Sequence, residues 1–358
     1  IKAGHRVVFI AGNHDVDLWF GRVRERLRYD ILSRGLTGDQ VDQGLVFEPW
    51  FYLDKSAVYI EHGHRFDPYA TFPDPLMPLD AERKRYLAPN FGHFSLRYFC
   101  NRVRSFPIHD MDQNPFGKVW AWMRKQTLRT LFTASLQFAF FLIRYFTATI
   151  KDRRLKIASA DIFLKRRRAR LKAYARHYNL PLRRILALDA LKRSHVGATV
   201  GRLFQALHLD RILAGTIAGI VILMGLLLTE GWLLVCLIAA CLLGTRMVIQ
   251  RLDRSRPIVD VQSILGRVAA KISRVTGASV VVFGHTHQPT LRRVGRARWL
   301  NPGSWEHLPW CRGHSKTEPC NCSVRFGLIR AQSGQANVEL RRWCAHSGQP
   351  DGQSTTHA

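Results

Sequence analysis

The chain has 358 residues, enough for one large domain or two ordinary ones, and 47% of them are hydrophobic, which excludes wholesale disorder. Its 54 Lys and Arg against 26 Asp and Glu leave a formal charge of +28, so the partners it calls for are anionic: nucleic acid or acidic lipid headgroups. Seven cysteines, Cys100, Cys236, Cys241, Cys311, Cys320, Cys322 and Cys344, form no disulfide framework and fit a reducing compartment.

In chain order, Arg6–Ala11 (RVVFIA) reads as a short buried strand running into the loop Gly12-Asn13-His14-Asp15. Leu18–Ser33 reads as a helix closed near Gly35. Ala57–Glu61 (AVYIE) is a second strand, ending in His62-Gly63-His64. Basic, helical and partly very apolar sequence then runs from 71 to 260, read as an insertion. Beyond it, apolar residues at 261, 264, 265, 268, 272 and 275 mark one face of a helix stopped by Gly277. Ser279–Phe283 follows as a strand into Gly284-His285-Thr286-His287. Trp299–Ser304 is a strand end and turn, 326–330 with 338–343 read as a closing hairpin, and the polar tail 347–358 reads as disordered.

Within the insertion, 212–228 is 17 residues without a charge and 232–249 is nearly as apolar, with Thr229-Glu230-Gly231 between them. Each piece would cover about 25 Å as a helix, close to a hydrocarbon core of about 30 Å, so the pair 212–249 reads as a membrane hairpin. The alternative is a buried hairpin in a soluble helical cap. Gly215 with Gly219, and Ala240 with Gly244, are small-residue pairs that would let the two helices approach closely. Arg202, Arg211, Arg246, Arg251, Arg254 and Arg256 flank the hairpin and its tip has no Lys or Arg, which predicts both ends on the cytoplasmic side. A third apolar stretch, 131–150, contains Gln137 and Arg144. If the GNHD and GHTH loops share one site, the chain between them crosses an even number of times, so 131–150 lies in the interface or packs inside the cap. The run 151–172 carries ten Lys and Arg against two Asp; near lipid it suits anionic headgroups, while nucleic acid and a merely solvated basic helix are its rivals. No nucleic-acid recognition motif accompanies it.

Three loops, each following a strand, carry His and Asn in an order suited to divalent metal at the carboxyl ends of a sheet. A metal pair there can activate water and clamp a phosphoryl oxygen. The order GNHD, HG, GHTH, followed by Asn301-Pro302-Gly303-Ser304, resembles the calcineurin-like metallophosphoesterases over about the first 70 residues and 261–343. The resemblance implies an α/β fold, a β-sandwich flanked by helices. It divides the chain into a first core part at 1–70, the helical insertion at 71–260, a second core part at 261–346 and the tail. It implies Asn13, His62 and His285 as ligands of one ion and His287 of a second, the ions being Mn, Fe, Zn or Co. His14 would steady the phosphate and protonate the leaving oxygen, with Asp15 orienting its imidazole; an imidazole near its pKa can do this at neutral pH. His64 has no role in the family pattern and reads as lying behind the ligands or beside the substrate.

The expected activity is hydrolysis of a phosphate ester or pyrophosphate at the cytoplasmic membrane surface, on a phosphorylated and lipid-linked substrate, with anionic lipids as partners. The helical insertion is similar to that of UDP-2,3-diacylglucosamine pyrophosphatases, whose GNHD loop commonly has Arg where His14 stands. The alternatives are a membrane scaffold without catalysis and a tethered protein phosphatase or nuclease. The family's Asp-x-His and Gly-Asp motifs do not precede Gly12, and the resemblance places them in a segment upstream of Ile1. Gly38-Asp39-Gln40-Val41-Asp42 matches Gly-Asp-x-x-Asp only as letters, since no buried strand leads into it. His307, Cys311, His314, Cys320 and Cys322 are zinc-capable residues in no standard spacing.

Overall fold

The computed structural model describes residues 1–54, 57–79, 87–103, 106, 115–207, 209–255, 260–304, 323–332, 335–344 and 349–351. The strands are β1 (Val7–Ile10), β2 (Leu45–Glu48), β3 (Phe51–Leu53), β4 (Val58–Glu61), β5 (Val280–Phe283), β6 (Thr290–Val294), β7 (Ala297–Asn301), β8 (Ser323–Gln332), β9 (Gln335–Cys344) and β10 (Gln349–Asp351). The helices are α1 (Gly21–Leu32), α2 (Gly38–Gly44), α3 (Phe91–Ser95), α4 (Pro115–Met123), α5 (Leu128–Ala158), α6 (Ala160–His177), α7 (Leu182–Ala190), α8 (Val200–Ala206), α9 (Leu209–Leu228), α10 (Gly231–Ser255) and α11 (Val261–Thr276). The fold is mixed α/β. Two compact units divide the chain: Ile1–His195 with Val261–Ala358, and Val196–Asp260.

The first unit is layered around a five-stranded sheet of order β3-β4-β5-β7-β6, in which β4, β5 and β7 run parallel. Side chains alternate across it as the pleat requires. Phe51, Tyr59, Val281, Phe283 and Trp299 face a helical layer contributed by α6, α7 and α11. Val58, Val280 and Leu300 face Val338 and Leu340 of β9, so the β8–β9 hairpin forms a second sheet on the other side. Helix α11 shows why the pattern holds: Ile264, Leu265, Val268 and Ile272 are all buried on one face. Complete burial of such side chains stabilises by roughly 1.5–3 kcal/mol each. Gly277, at φ +82°, ends the helix in the left-handed region, and its N–H donates to Ser273 O at 2.8 Å.

Three readings change, and Gly38–Asp42 remains a match of letters only. Arg6–Ala11 is a strand but not a buried one: among the described residues β1 pairs with β2 alone, in parallel, and Val7 and Phe9 lie on an exposed face. The expected helix 18–33 is two pieces, a 3₁₀ turn at Val16–Trp19 and α1, parted by Phe20 in extended conformation (φ −80°, ψ 126°). Gly38–Asp42 opens α2 through a capping box, Thr37 Oγ1 accepting from Gln40 N at 3.3 Å and Gln40 Oε1 from Thr37 N at 3.1 Å. In the tail, 349–351 is a strand paired antiparallel with β9, because β9 offers it a free ladder edge; the remaining tail residues, and the 307–322 His/Cys group, lie outside the described residues.

The second unit contains α8 and the α9–α10 hairpin. Thr229 closes α9, its N–H and Oγ1 both donating to Gly225 O at 2.8 Å, and Gly231 at φ +61° opens α10. The close approach is not at the expected small-residue pairs. Space is open around Gly215, Gly219 and Gly244, whereas a Cβ on Gly225 would overlap Leu237. A two-residue turn brings the helices nearest beside the turn, and Gly225 lies there. Helices α5, α9 and α10 are each long and apolar enough to cross a membrane, and membrane association follows.

Candidate functional site: a histidine cluster at the strand ends

Strands β4 and β5 are parallel neighbours with Glu61 opposite Phe283, so His62 and Gly284 leave the sheet side by side. Gly284 N donates to His62 O at 3.1 Å. Gly63, at φ +103°, turns the first loop away, and a Cβ there would meet that of His285. His285 and His287 hold φ of 68° and 54° without being glycine, a conformation that costs energy and gathers at functional sites.

The Gly284–His287 loop is held from three directions. Asn301, fully buried at the end of β7, donates from Nδ2 to Gly284 O at 3.1 Å and to Thr286 Oγ1 at 2.8 Å. Thr286 Oγ1 donates onward to Gln262 Oε1 at 2.6 Å. Asn301 Oδ1 accepts from Gly303 N at 3.0 Å, so the Asn-Pro-Gly-Ser turn locks the loop that carries the histidines. Asp67 supplies the third support, its Oδ2 lying 2.9 Å from His285 Nε2 while Oδ1 accepts from Tyr69 N at 2.9 Å.

The ring of His62 lies 5.3 Å from that of His64 and 5.4 Å from that of His285, centroid to centroid. The Gly12–Asp15 loop closes over the same imidazole, since a Cβ on Gly12 would overlap the His62 ring. His14 and His287 are near enough for their charge to bear on His62. Of the expected residues, His14, His62, His285 and His287 therefore share one electrostatic neighbourhood. Asn13 sits between Gly12 and His14 on the loop covering His62. Asp15 is exposed and starts the Val16–Trp19 turn, with its O accepting from Leu18 N at 3.0 Å.

Burial, reinforced by neighbouring histidines, holds His62 and His64 well below the usual imidazole pKa. Both are neutral at pH 7, the state in which an imidazole offers a lone pair. Three buried polar atoms here lack a hydrogen-bond partner: Asn13 Oδ1, His62 Nδ1 and His64 Nδ1. Orphaned buried polar atoms are costly, about 1–3 kcal/mol each, and call for a ligand, ion or water. An amide oxygen and neutral imidazole nitrogens are divalent-metal donors, so the residues fit such an ion in chemistry. They do not form a closed shell: among the described residues no three His, Cys, Asp or Glu side chains are grouped closely enough to hold one.

Sequence reading missed Asp67, five residues beyond His62, and the signal for it was a carboxylate within one turn of the His-Gly-His loop. His93 of α3 was also missed. Burial lowers its pKa, Asp17 opposes the shift, and Arg97 and His14 add to it, which places an insertion residue beside the Gly12–Asp15 loop. Helix α3 is pinned by Asn90, whose Oδ1 accepts from His93 N at 2.9 Å and whose Nδ2 donates to Ala70 O and Thr71 O.

Behind the cluster lies a buried charge network. Arg65 pairs with Asp189 at 3.0 Å and Glu61 at 3.5 Å, and stacks over Trp50 at 4.2 Å. Arg167 of α6 joins it by pairing with Asp189 and with Asp74 at 2.7 Å. Part of the basic run at 151–172 is thus turned inward: Arg170 likewise donates to Leu76 O and lies over Trp19. Comparison of the chain with family models, curated proteins and solved structures returns no match.

Proposed function

We propose that the chain is a membrane-anchored, metal-dependent phosphoesterase of the calcineurin-like kind. The observation supporting it is the meeting of His62, His64 and His285 at adjacent parallel strand ends, with desolvated donor atoms of Asn13, His62 and His64 left unpartnered. Asn13, His62 and His285 would hold one divalent ion and His287 a second. When bound, such ions polarise a phosphoryl oxygen and lower the pKa of water.

The chain's own residues have separable roles. With its proton on Nε2 toward Asp67, His285 presents Nδ1 as a lone pair, the usual effect of a carboxylate behind a ligating imidazole. Asn301 and Thr286 keep the loop in its left-handed turns. His14, exposed at the rim, gives its proton to the leaving oxygen, with Asp15 orienting it. The inaccessible Nδ1 atoms of His62 and His64 would be offered to an ion without competing water. The α9–α10 hairpin tethers the site to the cytoplasmic face, following the arginines at both of its ends.

The test is hydrolysis of bis-p-nitrophenyl phosphate by the detergent-solubilised chain with Mn²⁺, Fe²⁺, Zn²⁺ or Co²⁺, with elemental analysis of bound metal. Metal-stimulated turnover that falls about 100-fold or more in His62→Ala and His285→Ala is expected, on the scale of losing one preorganised electrostatic group. Absence of bound metal under every condition would sink the proposal. A membrane scaffold without catalysis is the second reading, and the open ligand set favours it.

A further inference from the structure

Helix α5 has two apolar faces, and the described residues of its own unit cover one of them. Ala134, Phe141 and Tyr145 are buried. Phe141 and Tyr145 meet Phe91 at 5.3 and 5.5 Å, and Phe138 meets Phe99 at 5.4 Å. At 100° per residue, Leu128, Phe132, Leu136, Ile143, Ile150 and Ile157 fall on a second stripe, on the far side of the helix. Those six are between 51% and 84% exposed. The stripe runs the length of a 31-residue helix, about 46 Å at 1.5 Å per residue.

Length and apolarity would let α5 cross a bilayer, but topology does not. Helices α9 and α10 are joined by Thr229 and Glu230 alone, so they cross together or not at all, and their contribution is even. His62 precedes α5 and His285 follows α10, yet their rings are 5.4 Å apart and their strands are hydrogen-bonded neighbours. A single crossing by α5 would put these two on opposite sides of a membrane. Among the described residues no further helix is long and apolar enough to return the chain, so α5 stays on the side of the site, with its outer stripe uncovered.

Charge identifies what covers it. Helix α5 carries Arg129, Arg144, Lys151, Arg153, Arg154 and Lys156, and one acid, Asp152, which Lys156 engages at 2.8 Å. Arg144, Lys151 and Lys156 lie about 100–120° from the stripe's centre, the position of a headgroup collar when the stripe faces down, while Arg129, Arg153 and Arg154 lie within about 60° of it near the helix ends, where a long side chain reaches back to the headgroups. A second copy of the same helix would bring like charge against like charge, whereas an anionic headgroup layer complements it. We infer that α5 lies flat in the interface of an anionic phospholipid bilayer, embedding the Phe132–Ile143–Ile150–Ile157 stripe to headgroup depth. Its inner face, through Phe91 and then Tyr69, backs onto the loop that carries Asp67. The body of α5 and the successive rings of Phe141, Phe91 and Tyr69 thus lie between the lipid contact and the loop that carries Asp67. The inference rests on the membrane part of the proposed function and not on its chemistry.

The test uses the full chain, native cysteines replaced by serine, reconstituted in phosphatidylcholine vesicles with about 30% phosphatidylglycerol, a content that gives an anionic surface. Nitroxides are placed one at a time by Phe132→Cys, Leu136→Cys, Ile143→Cys and Ile150→Cys on the stripe, and by Thr133→Cys and Lys151→Cys beside it. Oxygen and nickel-chelate accessibilities are read by power saturation. The expected result is shallow immersion at all four stripe positions, of similar depth, with water contact at the two flanking ones. Three results overturn the inference: aqueous accessibilities on the stripe, depth increasing to the bilayer centre near 143, or low accessibility to both reagents, which means protein covers the stripe. Immersion equal in vesicles of phosphatidylcholine alone would remove the anionic requirement, and a decrease there supports it. Hydrolysis of the soluble aryl ester by the same labelled proteins reads the chemistry separately.

Discussion

The histidine region and the α9–α10 hairpin handle polar and apolar surface in opposite ways. Around the cluster, the supports of the loops are specific pairs: Asn301 on Thr286, Asp67 on His285, Asp189 on Arg65. In the hairpin, Leu227, Leu228, Trp232 and Leu233 are 72–84% exposed, and Gly225 against Leu237 is the tight approach. The first region is stabilised by geometry that a single atom can spoil. The second depends on its solvent, because apolar side chains this exposed are costly in water and favourable in lipid. Helix α5 belongs to both, one face packed like the core and one bare like the hairpin.

The largest expected effect breaks the first region. Asp189→Asn keeps the size but removes the carboxylate that Arg65 and Arg167 share, leaving them only Glu61 and Asp74, so a loss of about 3 kcal/mol is expected in denaturant unfolding in detergent. Burial alone would raise the Asp189 pKa, but Arg65, Lys192 and Arg167 together outweigh it and hold it below the ordinary carboxylate range. The charged form thus stabilises the fold fully above the unfolded pKa of about 3.9, and that contribution is lost as pH falls through the lower folded value. The gap between wild type and Asp189→Asn should therefore narrow below about pH 4; a gap independent of pH would show that Asp189 is not the charge holding Arg65.

In the hairpin, Leu223→Arg should raise the insertion free energy by about 2.5–3.5 kcal/mol, measured in a translocation assay. The isosteric test of packing, Leu223→Ile, should leave insertion unchanged, since Leu223 is exposed. Comparable losses from both would mean that protein contacts, and not lipid, set the hairpin.

Asp67→Asn sharpens the role of the site's carboxylate. A loss of about 10–100-fold in metal affinity is expected, the scale for an outer partner of a ligating histidine, with the fold retained. Calorimetric titration with Mn²⁺ reads it; unchanged affinity would confine Asp67 to loop packing. The smallest effect is at Thr37→Ala, which removes one side of the α2 capping box and should cost about 1 kcal/mol without altering hydrolysis.

Much of the fold was legible because its periodicities are local. The α11 stripe, the VYIE and VVVF strands and the two apolar halves of the hairpin follow from side-chain spacing alone. The histidines were legible as candidates because each follows a strand in a short Gly-containing loop. Asp67, His93 and Asn301 acquired roles only in three dimensions, for each acts on a residue brought near by the fold rather than by spacing. The exposure of β1 was misread for the same reason: VVFI states that a strand is apolar, not how many neighbours it has.

By itself, then, the sequence determined the strand-end loops, the apolar lengths and the excess of positive charge, all properties of neighbouring residues along the chain. Only the tertiary structure decided that His62 and His285, 223 positions apart by number (285 − 62), sit 5.4 Å ring to ring, and which face of α5 is left bare. The physical reason is that pairing register and packing partners are cooperative properties of the assembled sheet, and no local pattern encodes which two loops a parallel ladder will set side by side.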